Sequence, residues 1–252
     1  MALTPKQLSQ LKEEGFLNAG PLFDHEELRV IGEEYDRLVD ARYQVLGNER
    51  DGVFPYRAML NYRSERLARM VLHPALVEVA EQCIGSNLRL WWDQGINKPP
   101  GAGSPIAWHQ DNAYQEGATQ EFLTCWLALD DSDSKNGGLE IYPGSAREGN
   151  RPHEWQGVHA VIPDENLPDG PTRYLDARAG DVLFFSSFLV HQTRGNSTSD
   201  RHRRAWVIQY CDGAQSHAVT GRPYDDRAWV LRDGRLATRL ESERRHVLSP
   251  TS

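Results

Sequence analysis

The sequence predicts a mainly β protein with flanking α-helices, a sandwich or barrel whose outer sheet face carries the helices. Two observations lead there. Helix signals are confined to residues 4–85, whereas from Asn87 onward short apolar stretches alternate with Gly, Pro, Asn and Asp, the pattern of strands and turns. No linker or repeat divides the 252 residues, a length that suits one large domain. The expected organisation is therefore a single unit, with helices over 4–85, a β core over about 88–212 and a C-terminal extension over 213–252.

The first forty residues read as helical. Thr4 and Pro5 form an N-cap and first-turn pair ahead of a segment that stops at Gly15. Asp24 and Glu27 make a capping box, after which Leu28, Ile31, Tyr35, Leu38 and Val39 recur at helical spacing. A third helix is expected from Pro74 to Cys83, with Leu76, Val77, Val79 and Ala80 apolar and Gly85 past its end. The predicted strands are Leu88 to Ile96, Phe122 to Leu129, Leu139 to Tyr142, Asp181 to Phe185 and Ala205 to Tyr210. Between them, Arg147 to Arg178 is too long for an ordinary hairpin and reads as an excursion over one end of the barrel. Near the C-terminus the RDGR segment between Val230 and Leu236 predicts a hairpin, and LESERRH a solvated tail.

Charge and composition narrow the partners. There are 28 Lys and Arg against 36 Asp and Glu, so the net charge of -8 repels phosphate backbones and anionic lipid, and neither nucleic acid nor membrane is expected. No apolar run approaches the 18 or so residues of a bilayer-crossing helix. Cys83, Cys125 and Cys211 are odd in number and far apart, and the N-terminus has no apolar signal core, so a reducing cytoplasm is the expected compartment. Oligomeric state is left open.

The chemistry concentrates in SPIAWHQDNAYQEG. His109 and Asp111 stand two apart, so on a strand both side chains project from one face. An imidazole and a carboxylate offer a nitrogen and an oxygen donor, and a second imidazole would complete a two-His, one-carboxylate set suited to non-haem Fe(II) with open coordination positions. The short pattern alone also arises by chance. His191 adds weight because it follows the apolar stretch GDVLFFSSFLV, which puts a polar ring at a strand end. Taken singly, it could equally be a histidine bonded to backbone. Arg203, at the edge of the strand RAWVIQY, offers a guanidinium that pairs well with a carboxylate, which implies an acidic co-substrate.

Six segments occur in a recognisable order: HPALVEVAEQCIGSNLRL, INKPP, WHQD, LTCWLALDDSDSKNGGLEIYPGSAREG, GDVLFFSSFLVHQT and RRA. In this series the chain resembles the phytanoyl-CoA dioxygenase-like Fe(II)- and 2-oxoglutarate-dependent oxygenases. The resemblance implies a double-stranded β-helix, a jelly-roll, cupin-like core. It implies that His109, Asp111 and His191 bind iron, and that 2-oxoglutarate and O2 take the remaining positions. By the same resemblance Arg203 pairs the distal carboxylate of 2-oxoglutarate, Thr193 adds a hydroxyl hydrogen bond, and Trp126, Gln94 and Arg57 match positions lining that pocket. His191 and Arg203 lie twelve residues apart, slightly more than in many relatives, so the loop RGNSTSDRH carries an insertion and Arg201 and Arg204 compete for the role. Alternation puts Arg204 opposite Arg203, and the RRA pattern favours Arg203.

The implied reaction is hydroxylation of a small organic metabolite with release of succinate and carbon dioxide. Related halogenases replace the carboxylate ligand with a small residue, so Asp111 favours hydroxylation; desaturation, ring closure and epimerisation share the same ligands. A cupin-type metal isomerase or lyase, and a non-catalytic iron or small-acid sensor, are the competing readings on the same barrel. Among weaker features, Lys98 reads either as an anion contact or as an exposed turn residue, and Cys125 as a small buried residue. Asp130, Asp131 and Asp133 look like solvated turn residues, and Tyr56, Tyr114, Trp155 and Trp229 either line a substrate pocket or fill the core.

Overall fold

A computed structural model describes residues 2–39, 56–101, 104–114, 120–157 and 159–244. In chain order the elements are α1 (Pro5–Glu14), β1 (Phe16–Pro21), α2 (His25–Leu38), β2 (Tyr56–Ala58), α3 (Glu65–Val71), α4 (Pro74–Ile84), β3 (Leu88–Lys98), β4 (Ile106–His109), β5 (Phe122–Ala128), β6 (Leu139–Ile141), β7 (Glu154–Gln156), β8 (His159–Val161), β9 (Arg173–Leu175), β10 (Asp181–Ser186), β11 (His191–Thr193), β12 (Arg203–Asp212), β13 (Trp229–Arg232) and β14 (Arg235–Glu241). The large sheet runs β1-β10-β5-β12-β3-β13-β14, with β2 also on β3. The small sheet runs β4-β11-β6-β9, and β7 pairs with β8 alone.

The strands of the large sheet sort their side chains by alternation. Ile96, Trp126, Ala128, Leu183, Phe185, Ala205 and Val207 share a core with Leu139, Ile141 and Leu175 of the small sheet, so the two sheets face each other across this layer. The opposite phase (Leu90, Cys125, Leu127, Val182, Phe184, Trp206 and Ile208) packs with Ile31 and Tyr35 of α2, Leu67 of α3 and Leu76 and Val79 of α4. The helices thus cover only the outer face. No helix among the described residues is long and apolar enough to cross a membrane.

Both predicted caps form. The Thr4 hydroxyl accepts from Gln7 N–H, Asp24 accepts from Glu27 N–H, and Gly15 ends α1 at φ 81°. The Asp233–Gly234 turn between β13 and β14 has φ of 49° and 72°, the signs a two-residue type I′ hairpin requires. The helical reading of the first forty residues needs correction: Phe16–Pro21 is an edge strand antiparallel to β10, with Phe16 opposite Phe185. Its only long-range signal lies on that distant partner. The helix α3 was also unforeseen, although Ser64 caps it by accepting from Leu67 N–H. The predicted tail LESERRH is partly strand: Leu240 and Glu241 belong to β14, Glu243 pairs with Arg89, and residues 245–246 lie outside the described residues.

A candidate metal centre between the two sheets

His109 ends β4 and His191 begins β11, and the two are direct cross-strand partners in the small sheet. Their ring centroids lie 4.2 Å apart. Two sequence expectations are corrected here. Asp111 is not on the strand of His109 but opens the 3-10 turn Asp111–Tyr114, and His191 does not end the strand Asp181–Ser186 but starts a separate strand in the other sheet. Both differences arise because the strands are too short, four and three residues, to leave a periodic signal.

The three side chains nonetheless converge. Asp111 Oδ1 lies 3.7 Å from His109 Nε2 and 3.6 Å from His191 Nε2, and one ligand atom from each residue falls within 4.8 Å of the others. Each imidazole is oriented by the backbone two residues before it: His109 Nδ1 meets Ala107 O at 2.8 Å and His191 Nδ1 meets Leu189 O at 3.0 Å. A proton on Nδ1 donated to those carbonyls leaves both Nε2 lone pairs directed at Asp111. Burial, and then the neighbouring His191, hold the His109 imidazole well below the usual histidine range, so it is neutral and able to ligate. On the far side of the carboxylate, Asp111 Oδ2 accepts from Thr124 Oγ1 at 2.8 Å and from Gln209 Nε2 at 2.9 Å.

Gln110, between two of these residues, is fully buried and stitches the turn in place. Its Nε2 donates to Gly149 O and Phe188 O, its Oε1 accepts from Arg151 N–H, and its backbone N–H donates to His153 Nε2. The segment 149–153, at the start of the predicted excursion, is thereby fixed beside the ligand turn. Further along, β7 and β8 form a hairpin, and β9 returns to pair with β6 in the small sheet.

Arg203 heads β12 at 1% exposure, and none of its three guanidinium nitrogens finds a hydrogen-bond partner. Burial lowers its pKa to about 10, which still leaves it charged at neutral pH. Its Cζ lies 5.8 Å from the Trp126 ring centroid, and the buried Thr193 Oγ1 is also unpartnered. Lys98, opposite Arg203 in the β3–β12 pairing, is neither on an exposed turn nor open to an anion: it is fully buried, with Nζ donating to Ser104 O, Thr193 O and Arg194 O. Gln94 and Trp126 flank Val207 across the sheet, and Gln94 Oε1 accepts from Tyr56 OH and Trp92 Nε1. Arg57 pairs in register with Gly95, which by alternation belongs to the opposite face from Gln94. The competing arginines are engaged elsewhere, Arg201 with Asp133 and Arg204 with Asp130 and Asp36, so the aspartates read as solvated turn residues are ion-paired or, for Asp131, bonded to Ala179 N–H.

Residues 11–205 match the phytanoyl-CoA dioxygenase (PhyH) family. The chain belongs to that family. The peroxisomal phytanoyl-CoA dioxygenase of Rattus norvegicus is 26% identical over 220 residues, covering 78% of this PhyH-family chain and 65% of the rat protein. The chain therefore spans just under two thirds of that relative's length. The L-proline trans-4-hydroxylase of Streptomyces griseoviridis is 30% identical over 182 residues, 63% of this chain and 68% of the hydroxylase. A crystal structure of the epimerase SnoN in complex with Fe3+, alpha ketoglutarate and nogalamycin RO superposes with a TM-score of 0.72 at 22% identity, covering 98% of this chain and 96% of SnoN. Agreement over nearly the whole of both chains shows the shared fold, the double-stranded β-helix.

The donor set of this PhyH-family chain fits a divalent iron: two imidazole nitrogens and one carboxylate oxygen, clustered together. A buried, bare guanidinium and a buried, bare hydroxyl likewise fit a carboxylate ligand, since each group would otherwise bear its full desolvation cost. Thr124, Gln209 and Gln110 were missed in the sequence. The available signal was phase: Thr124 shares a face with Trp126, and Gln209 with Val207, so both are polar residues on the inward face of otherwise apolar strands.

Proposed function

We propose that the chain is a non-haem Fe(II)- and 2-oxoglutarate-dependent dioxygenase that hydroxylates a small organic metabolite and releases succinate and carbon dioxide. The observation that carries this reading is the convergence of His109, Asp111 and His191 with both Nε2 atoms facing the carboxylate. Iron with 2-oxoglutarate and O2 would supply the oxidising chemistry. His109, Asp111 and His191 would hold the ion, a donor set suited to Fe(II) with open coordination positions. Arg203 and Thr193 take the distal carboxylate of 2-oxoglutarate, a charge-assisted contact that satisfies both groups at once. Trp126, at 3% exposure, and Gln94 shape the walls of that pocket, and the apolar layer between the sheets excludes water. Arg57 drops out of the reading, because its register with Gly95 puts it on the helix-covered face of the sheet, away from Gln94. The protein's contribution is positioning rather than acid-base chemistry.

We also take the chain as one domain, since the helices, β13 and the large sheet share one apolar layer. Cys83, Cys125 and Cys211 are all unpaired, which fits a reducing compartment such as the cytoplasm. The deciding experiment is aerobic incubation with Fe(II) and 2-oxoglutarate across metabolite pools, with His109→Ala as the inactive control. Succinate formation by the wild type alone supports the dioxygenase. Turnover with another metal and without oxygen supports the cupin-type isomerase or lyase instead, and binding without turnover the sensor.

A further inference from the structure

We infer that Thr124 and Gln209 are positioning residues that make Asp111 present a single oxygen to the metal. The inference rests on the metal reading above and assigns to two side chains a task outside the ligand set. Asp111 lies on a 3-10 turn, outside both sheets, so no ladder fixes its orientation. Its carboxylate is fixed from the large sheet instead. Thr124 on β5 and Gln209 on β12 are cross-strand partners, both buried, and both donate to the same oxygen, Oδ2, at 2.8 and 2.9 Å.

The donors close in one arrangement. Thr124 has one hydroxyl proton, and it goes to Asp111 Oδ2. The hydroxyl oxygen in turn accepts from Gln209 Nε2 at 3.3 Å, while the other amide proton goes to Asp111 Oδ2. Oδ2 thus accepts two bonds and faces away from the ligand cluster, leaving Oδ1 toward His109 Nε2 and His191 Nε2. A carboxylate without this anchorage can rotate and chelate through both oxygens, taking up a coordination position that the reaction needs free. Outer partners of this kind set ligand geometry and metal affinity together.

Co(II) titration of the whole protein tests the inference, because its visible absorption reports coordination number independently of turnover. Thr124→Val and Gln209→Leu should each weaken Co(II) binding about 10- to 100-fold and lower the absorption intensity as the coordination number rises. Thr124→Ser should restore wild-type affinity and spectrum. The double variant should lose less than the product of the two single losses, since both residues share one proton network. Gln209→Met keeps the length of the side chain and removes the donor, so it should behave as Gln209→Leu does and serves if the leucine variant fails to fold. Folded variants with unchanged affinity and spectrum would overturn the positioning role. Wild type and His109→Ala binding Co(II) equally well would overturn the metal reading itself, a distinct result.

Discussion

Arg203 and Arg204 are adjacent on β12 yet lie on opposite faces of one sheet and differ in their partners. Arg204 bonds Asp130 and Asp36, whereas the buried Arg203 has no hydrogen-bond partner for its guanidinium. An isolated buried cation opposes folding unless an anion joins it. Arg203→Met should therefore raise the melting temperature of the ligand-free protein while weakening 2-oxoglutarate binding by about 2–5 kcal/mol. Thermal shift with and without 2-oxoglutarate reads both signs. A variant that melts lower without ligand and keeps its shift with ligand would refute this account.

Asp93 makes stability depend on pH. It is wholly buried on the helix side of β3, accepting from Trp206 Nε1 and Asn61 N–H. Burial raises its pKa to about 7, against the opposing pull of those donors. The folded state therefore holds the proton more tightly than the unfolded chain. Its contribution is complete below about pH 4 and is lost as pH rises through 7, a change of about 4 kcal/mol. The difference in urea stability between wild type and Asp93→Asn should follow that course, with the variant gaining relative stability from pH 4 to pH 8.

Gln110→Ala should cost about 2–4 kcal/mol, because Gly149 O, Phe188 O and Arg151 N–H all lose a buried partner. The same change frees the turn that carries Asp111, so affinity for Co(II) should fall in parallel. Urea denaturation and metal titration on one preparation check both effects.

Gly95 is constrained by space rather than by backbone angle. A Cβ there would lie 2.5 Å from Val39 Cγ2 and 2.8 Å from Tyr35 Cε2, where α2 crosses the sheet. Gly95→Ala should destabilise the protein by about 1–3 kcal/mol through this overpacking. Chemical denaturation midpoints measure it, and no effect would mean that α2 shifts freely on β3.

The long strands and the capped helices were legible because each carries its own periodicity or cap: α2 has its capping box, and β5 and β12 their apolar runs. The short elements were not. β1 and β11 are defined by distant partners, and three to six residues cannot show a period. His109, Asp111 and His191 could be picked out as a set because their residue types belong together chemically, although their local structures were misread. Lys98 could not be placed, since its burial depends on carbonyls from residues 104, 193 and 194. The supporting amides of Gln110 and Gln209 were likewise silent: a glutamine in sequence does not declare which loops it joins.

The histidines of the metal centre come from the small sheet, and the carboxylate between them is tethered to the large one. An ion there would act as a rivet through the seam of the barrel, adding to the apolar layer and to the Lys98 bonds that already join the two halves. Loading would then be felt far from the mouth, adding about 2.7 kcal/mol to global stability at a free concentration one hundred times the dissociation constant. A chain that lost its ligands would forfeit this fastening along with its chemistry.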